Sequence, residues 1–171
     1  MKKIVIATIF FFIGLIIFMP KENLFFTLKK ILKKEHIELV SKDVSDRFVD
    51  LRLEDTLFIY DGIESLKAKT ITLSPWLFYN TIEAKDISAS KALRDMLNIK
   101  VDDLKITHTI FNPKLAKLKA WGKFGNLDGY IDLDKRLIHL ILTPSASFKK
   151  SQIVRDYFRN SKEGLLYESN F

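Results

Sequence analysis

The sequence contains no cysteine, and only six glycines, four prolines and three histidines among its 171 residues. Without cysteine there is no disulfide scaffold, zinc–thiolate site, iron–sulfur cluster or cysteine nucleophile. The compartment stays open, because a chain of this length closes a core without covalent staples. Scarce glycine and proline beside 47% hydrophobic residues exclude a collagen-like or wholly disordered chain. The three histidines, His36, His108 and His139, are scattered, with no H-x-x-x-H or H-E-x-x-H spacing. His108 and His139 fall in alternating strand patterns, where a half-buried structural histidine is expected. Nucleophile-elbow, P-loop and dinucleotide fingerprints are missing, and Gly122-Lys123-Phe124-Gly125 falls on a strand and hairpin. Asp102-Asp103 and the Asp132/Asp134 pair read as solvated charge rather than acid–base partners. The sequence therefore assigns no catalytic, metal-binding or cofactor-binding residue, and the chain is not expected to be an enzyme.

What is present is asymmetric. Residues 4–19 form one uncharged apolar run between Lys2-Lys3 and Pro20. We read it as an uncleaved membrane anchor carried by Ile4, Phe10, Phe11, Phe12, Ile16 and Met19. As a helix it spans about 24 Å, short of the ~30 Å hydrocarbon layer, with Lys3 and Lys21 expected to reach outward to the headgroups. A cleaved signal peptide would end in small residues, and this run ends Ile17-Phe18-Met19-Pro20-Lys21. A buried core helix is the remaining alternative. Orientation is argued from both sides. Lys21, Lys29, Lys30, Lys33 and Lys34 follow the run closely, yet charges preceding a first hydrophobic segment usually stay behind, which favours an exported body. The division expected is a tail and anchor at 1–20 and a single body at 21–171.

Pro20 opens a second helix over residues 21–35, with Leu24, Phe25, Leu28, Ile31 and Leu32 towards one face and four lysines on the other. It either caps the sheet that follows or lies on the membrane surface. From residue 36 the period becomes two, and residues 36–145 read as a curved antiparallel β-meander of about eight strands. Strands are expected at 48–54, 57–60, 66–73, 82–87, 104–110, 118–124 and in a hairpin pairing Ile131 and Leu133 with Ile138, Leu140 and Leu142. Ser74 and Pro75 are expected to open a helical turn that plugs Trp76, Leu77, Phe78 and Tyr79 into one end of the sheet as a possible groove. A short helix at 91–97, a last helix at 148–160 and a closing strand from 165 complete a mainly β (α+β) chain.

The net charge is +7, but acids and bases alternate along the body. Trp121 between Lys119 and Lys123 is the one local match to a basic–aromatic stacking platform, so nucleic acid is not expected as a partner.

The basic start, the apolar span, the Pro20-Lys21-Glu22-Asn23-Leu24 helix opening and the segment at residues 71–87 together resemble the type II secretion protein N family and its AsmA-like relatives. In that segment Ile71, Leu73, Pro75 and Leu77 precede a strand bearing Ile82, Ala84 and Ile87. The closing Gly164-Leu165-Leu166-Tyr167 is similar as well, and the likeness runs over about residues 18–145. The resemblance implies a non-catalytic, single-pass inner-membrane protein with a periplasmic body. It would be a scaffold in a type II secretion, type IV pilus-like or DNA-uptake machine, with inner-membrane assembly proteins and membrane lipid as partners. The AsmA-like side implies an alternative, a lipid-handling module. Its apolar sheet face would carry Val49, Leu51, Leu53, Ile106, Ile131 and Leu133, with only two candidate helices to cover it.

Overall fold

The computed structural model describes residues 2–91, 93, 100–150 and 152–171. Period-two patterning yields one open sheet of eleven strands. β1 (Ile37–Val40) and β2 (Asp43–Asp46) lie end to end along β3 (Leu51–Tyr60), opposite residues 57–60 and 51–54 respectively. Then β4 (Ile63–Pro75), β5 (Tyr79–Ala89), β6 (Lys100–Thr109), β7 (Asn112–Gly122), β8 (Gly125–Asp132) and β9 (Leu137–Pro144) follow as an antiparallel meander. A 3₁₀ turn at Phe148–Lys150 and α3 (Gln152–Tyr157) lead to β10 (Arg159–Asn160) and β11 (Leu165–Asn170). β11 pairs with β9, and β10 forms the far edge.

α1 (Lys2–Ile17) is 16 residues long, and no helix among the described residues is long and apolar enough to cross a membrane. Met19 lies beyond its end. Pro20 separates α1 from α2 (Lys21–Lys34), since proline lacks the N–H needed to continue a helix. Lys21, expected to reach outward, is instead 3% exposed and ion-paired with Asp46 at 3.2 Å. His36, with φ of 61°, ends the turn after α2 and faces Asp61 at 3.2 Å.

Cross-strand register builds two apolar rows on the sheet's inner face. Leu53, Ile71, Ala84, Leu104, Ala120, Leu127, Leu142 and Leu165 follow one another across eight strands. A parallel row begins Leu51, Leu73, Ile82, Ile106, Leu118 and runs on through Gly129 and Leu140 to Tyr167. On β3 to β5 the buried positions then step by three: Leu53 to Thr56, Ile71 to Ala68, Ala84 to Ile87. The residues lodged in that step include Asp55, Lys69 and Asp86, and Asp55 and Asp86 adopt φ of 48° and 50°. Aspartate tolerates this left-handed conformation better than most side chains, so each strand keeps its apolar face across an irregularity. β7 does not share the step, and the β6–β7 register shifts between Val101 and Asp103.

Two helices cover this face. Phe25 of α2 is 3% exposed and packs among Leu39, Leu51, Leu53, Ala68, Ile71, Ala84 and Ile87. Val154 of α3 joins Ala120, Phe124 and Leu142, with Phe148, Phe158 and Leu165 around them. Val101 and Leu104 touch both clusters, so the core is continuous. Buried Thr56 is satisfied by the Ser41 hydroxyl at 2.9 Å.

Several expectations are corrected. Residues 51–60 form one strand rather than two, and Val49 precedes it. β4 continues through Pro75, which pairs with Asn80, so residues 76–78 are a tight β4–β5 connection and not a helical turn. Pro75 lies beyond Leu73, the last β4 residue paired with β3, so its missing N–H breaks no bond to that neighbour. Phe124 belongs to the β7–β8 turn, Ile110 to the β6–β7 turn and Leu133 to the β8–β9 turn. The last helix ends at Tyr157, because Arg159 and Asn160 pair with β11. The short helix expected at 91–97 falls mostly outside the described residues.

Candidate interaction surface

Antiparallel connectivity sends alternate turns to opposite ends of the sheet. One end carries the approach to β3 at residues 47–50, the β4–β5 turn at 76–78, the β6–β7 turn at 110–111, the β8–β9 turn at 133–136 and Phe171 after β11. Backbone bonds join neighbours along this rim. The Ile110 N–H donates to the Phe78 carbonyl at 3.2 Å, that of Leu133 to Lys114 at 2.8 Å, and that of Phe171 to Arg136 at 3.0 Å.

Turn tips are ordinarily polar. Here Phe48 is 78% exposed, Trp76 43%, Phe78 49%, Phe111 84%, Leu133 50% and Phe171 59%. Phe78 and Phe111 stack with centroids 6.5 Å apart, so adjacent tips touch. Phe12 of α1 lies 6.1 Å from the Phe78 ring. Phe11, Gly14, Leu15, Phe18 and Met19 line an open apolar hollow of about 490 Å³ against Leu77. The rim and the apolar helix therefore share one side of the molecule.

The sequence-derived candidates divide accordingly. Ile4, Phe10, Phe11 and Phe12 are exposed on α1, Ile16 lies in the same helix, and Met19 sits in the α1–α2 connection. Trp76, Phe78 and Tyr79 are exposed and Leu77 half-buried, so they do not plug the sheet but project from it. On α2 the inward stripe is buried Lys21 and Phe25 with half-buried Leu28 and Leu32, whereas Leu24 and Ile31 are 49% and 54% exposed. The large Phe25 ring takes the central position, which rotates the helix away from a Leu24–Ile31 face. Phe48, Phe111 and Phe171 were missed, and Leu133 was expected on the sheet face and not at the rim. Apolar side chains at turn positions were the available signal, and only the meander's alternation places them together.

The inner face is not fully closed. Leu73, Ile82, Ile106, Leu118 and Leu140 remain half-exposed beyond the edges of the helices. Lys21, Leu24, Phe25 and Leu28 of α2 stand over Leu51, Leu73 and Ile82, enclosing an apolar cleft of about 250 Å³. Ile131 joins this face, while Val49 and Leu133 lie outside the strands and are exposed.

The outer face is charged and cross-paired. Glu83 holds Lys105 at 2.6 Å and Asp128 holds Lys119 at 3.3 Å. Hydrogen bonding to Glu83 raises the Lys105 pKa above its ordinary value. Trp121 sits among these acids, opposite Asp103 and Asn126, so Lys119 and Trp121 do not form a purely basic platform. His108 bonds to the Pro113 carbonyl at 3.0 Å, and His139 faces Glu168 at 2.9 Å and stacks on Tyr130. Among the described residues no cluster of three His, Cys, Asp or Glu side chains could hold a metal ion. No family model, curated protein or solved structure matches the chain.

Proposed function

We propose that the chain is a non-enzymatic, membrane-tethered scaffold whose β-meander body stands on the periplasmic side of the inner membrane. There it serves a type II secretion, type IV pilus-like or DNA-uptake machine. The observation that carries the tether is α1. Ile4, Phe10 and Phe11 are 71%, 69% and 63% exposed on an uninterrupted apolar helix, a surface that water disfavours and hydrocarbon accepts. At about 24 Å the helix is short for a ~30 Å core, and local thinning with outward-reaching Lys2 and Lys3 accommodates the difference. Two open sheet edges, β1–β2 and β10, offer unpaired backbone for strand addition by partner proteins. The choice of machine rests on the resemblance to the protein N family.

Alkaline carbonate extraction and protease treatment of spheroplasts test the reading together. Retention in the membrane pellet with digestion of the body is expected. Release by carbonate removes the tether, and protection from protease reverses the orientation.

The half-exposed inner row favours a second reading, an AsmA-like module that lodges acyl chains along Leu73, Ile82, Ile106 and Leu118. Lipid retained by the purified chain in native mass spectrometry supports it.

A further inference from the structure

We propose that the α1-side rim of the sheet is itself immersed in the headgroup–acyl boundary of the bilayer that receives α1, so that the body lies down on the membrane through its turn tips. The inference rests on the tether reading and adds to it a docking surface and its occupant.

Three observations select lipid. The rim is continuous with the tether, because Phe12 lies five residues before the end of α1 and touches Phe78. At 1.5 Å per residue this brings the β4–β5 tip about 7 Å along the helix from its body-side end. A helix too short for the hydrocarbon layer draws its attached body towards the bilayer instead of holding it away. The tips also have interfacial composition: Phe48, Trp76, Phe78, Phe111, Leu133 and Phe171 are exposed, and tryptophan with other apolar rings favours the headgroup level.

Charge agrees. Apart from Asp50, whose Oδ1 is buried without a hydrogen-bond partner among the described residues, the acids on this rim are occupied or withdrawn. Asp46 holds Lys21, Asp134 holds Lys114 at 2.8 Å, and Asp132 is buried and accepts the backbone N–H groups of Asp134 and Lys135. Exposed Arg47 and Arg136 have no acidic partner among the described residues, which suits them to anionic headgroups. At the opposite end Phe124 is folded inward at 7% exposure and the Asp61-Gly62 turn tip is polar, with Tyr60 and Ile63 exposed beside it.

Because the chain has no cysteine, single labels are placed at will. Phe111→Cys, Leu133→Cys, Phe10→Cys and Asp61→Cys are each labelled with an environment-sensitive fluorophore in the full-length chain. The labelled chains are reconstituted into vesicles of phosphatidylethanolamine and phosphatidylglycerol at 3:1 carrying, in separate preparations, shallow doxyl lipid to report on the tips and deep doxyl lipid to report on residue 10. The labels at 111 and 133 should be quenched at least twofold more than that at 61. If the label at 10 is quenched and those at 111 and 133 match 61, the inference fails and the tether stands. Quenching at 111 and 133 without quenching at 10 by either lipid removes the tether and, with it, the inference. Tip labels shielded from aqueous iodide yet not reached by doxyl groups assign the rim to a protein partner and overturn the proposal.

Discussion

Phe12 in α1 and Phe78 at the β4–β5 tip meet with ring centroids 6.1 Å apart at an interplanar angle of 53°. This contact couples the exposed apolar helix to the rim of the sheet. Together with the hollow at Leu77, it sets where the body sits relative to the tether.

The coupling is measurable. Aromatic pairs at this separation contribute roughly 0.5–1.5 kcal/mol beyond their buried area. Phe12→Ala, Phe78→Ala and the double variant, unfolded thermally in non-ionic detergent, should give a coupling energy in that range. Strict additivity would show that the rings are neighbours without being partners.

The seating of α2 makes an uneven pair. Phe25 is 3% exposed within the first core cluster, whereas Leu24 is 49% exposed beside the cleft. Phe25→Ala should cost about 3–5 kcal/mol in urea unfolding and Leu24→Ala under about 1 kcal/mol. Equal losses would mean that α2 presents the Leu24–Ile31 face after all.

The Lys114–Asp134 contact ties the start of β7 to the β8–β9 turn at 2.8 Å. Its hydrogen bond and charge hold the Asp134 carboxyl below its ordinary value of 3.8, and the same bond raises Lys114. A depressed carboxylate stabilises the fold above its unfolded pKa, and the contribution is lost as pH falls through the lower folded value. Carboxyl titration by NMR should therefore place the Asp134 midpoint below 3.8, and Lys114→Gln should move it upward. An unmoved midpoint would show that the two groups are independent in solution.

The strands were legible because charged and apolar residues alternate, as in Leu51-Arg52-Leu53-Glu54, and their hairpins followed from turn residues such as Asp61-Gly62. The step at Asp55, Lys69 and Asp86 was not foreseen, since residues 66–73 read as one ordinary strand, yet its signal is there: Leu66 and Ala68 are out of phase with Ile71 and Leu73, which a regular strand would forbid. The seating of α2 was not, since Leu24, Phe25, Leu28, Ile31 and Leu32 fit two faces about 60–80° apart and only contact with the sheet chooses. Nor was the rim, because Phe48 and Phe171 are neighbours of the sheet's end only after the whole meander is laid out. Aromatics at 76–79 looked like filling for a core and are instead the part of a turn that no core covers.

That uncovered quality extends to the inner row, where it separates structural from ligand-bearing side chains. Leu142 is 2% exposed under α3, and its truncation to alanine should cost about 2–5 kcal/mol. Leu118, one row nearer the rim and half-exposed, gives up fewer packed neighbours, so Leu118→Ala should cost roughly half as much. If acyl chains lie along this row, Leu118→Gln places an amide where hydrocarbon would rest, and an amide without a partner disfavours that contact. The variant should remain folded by circular dichroism and lose most of the lipid seen with the parent chain in native mass spectrometry. Undiminished lipid with Leu118→Gln would move the acyl chains off the inner face, leaving the row as packing alone.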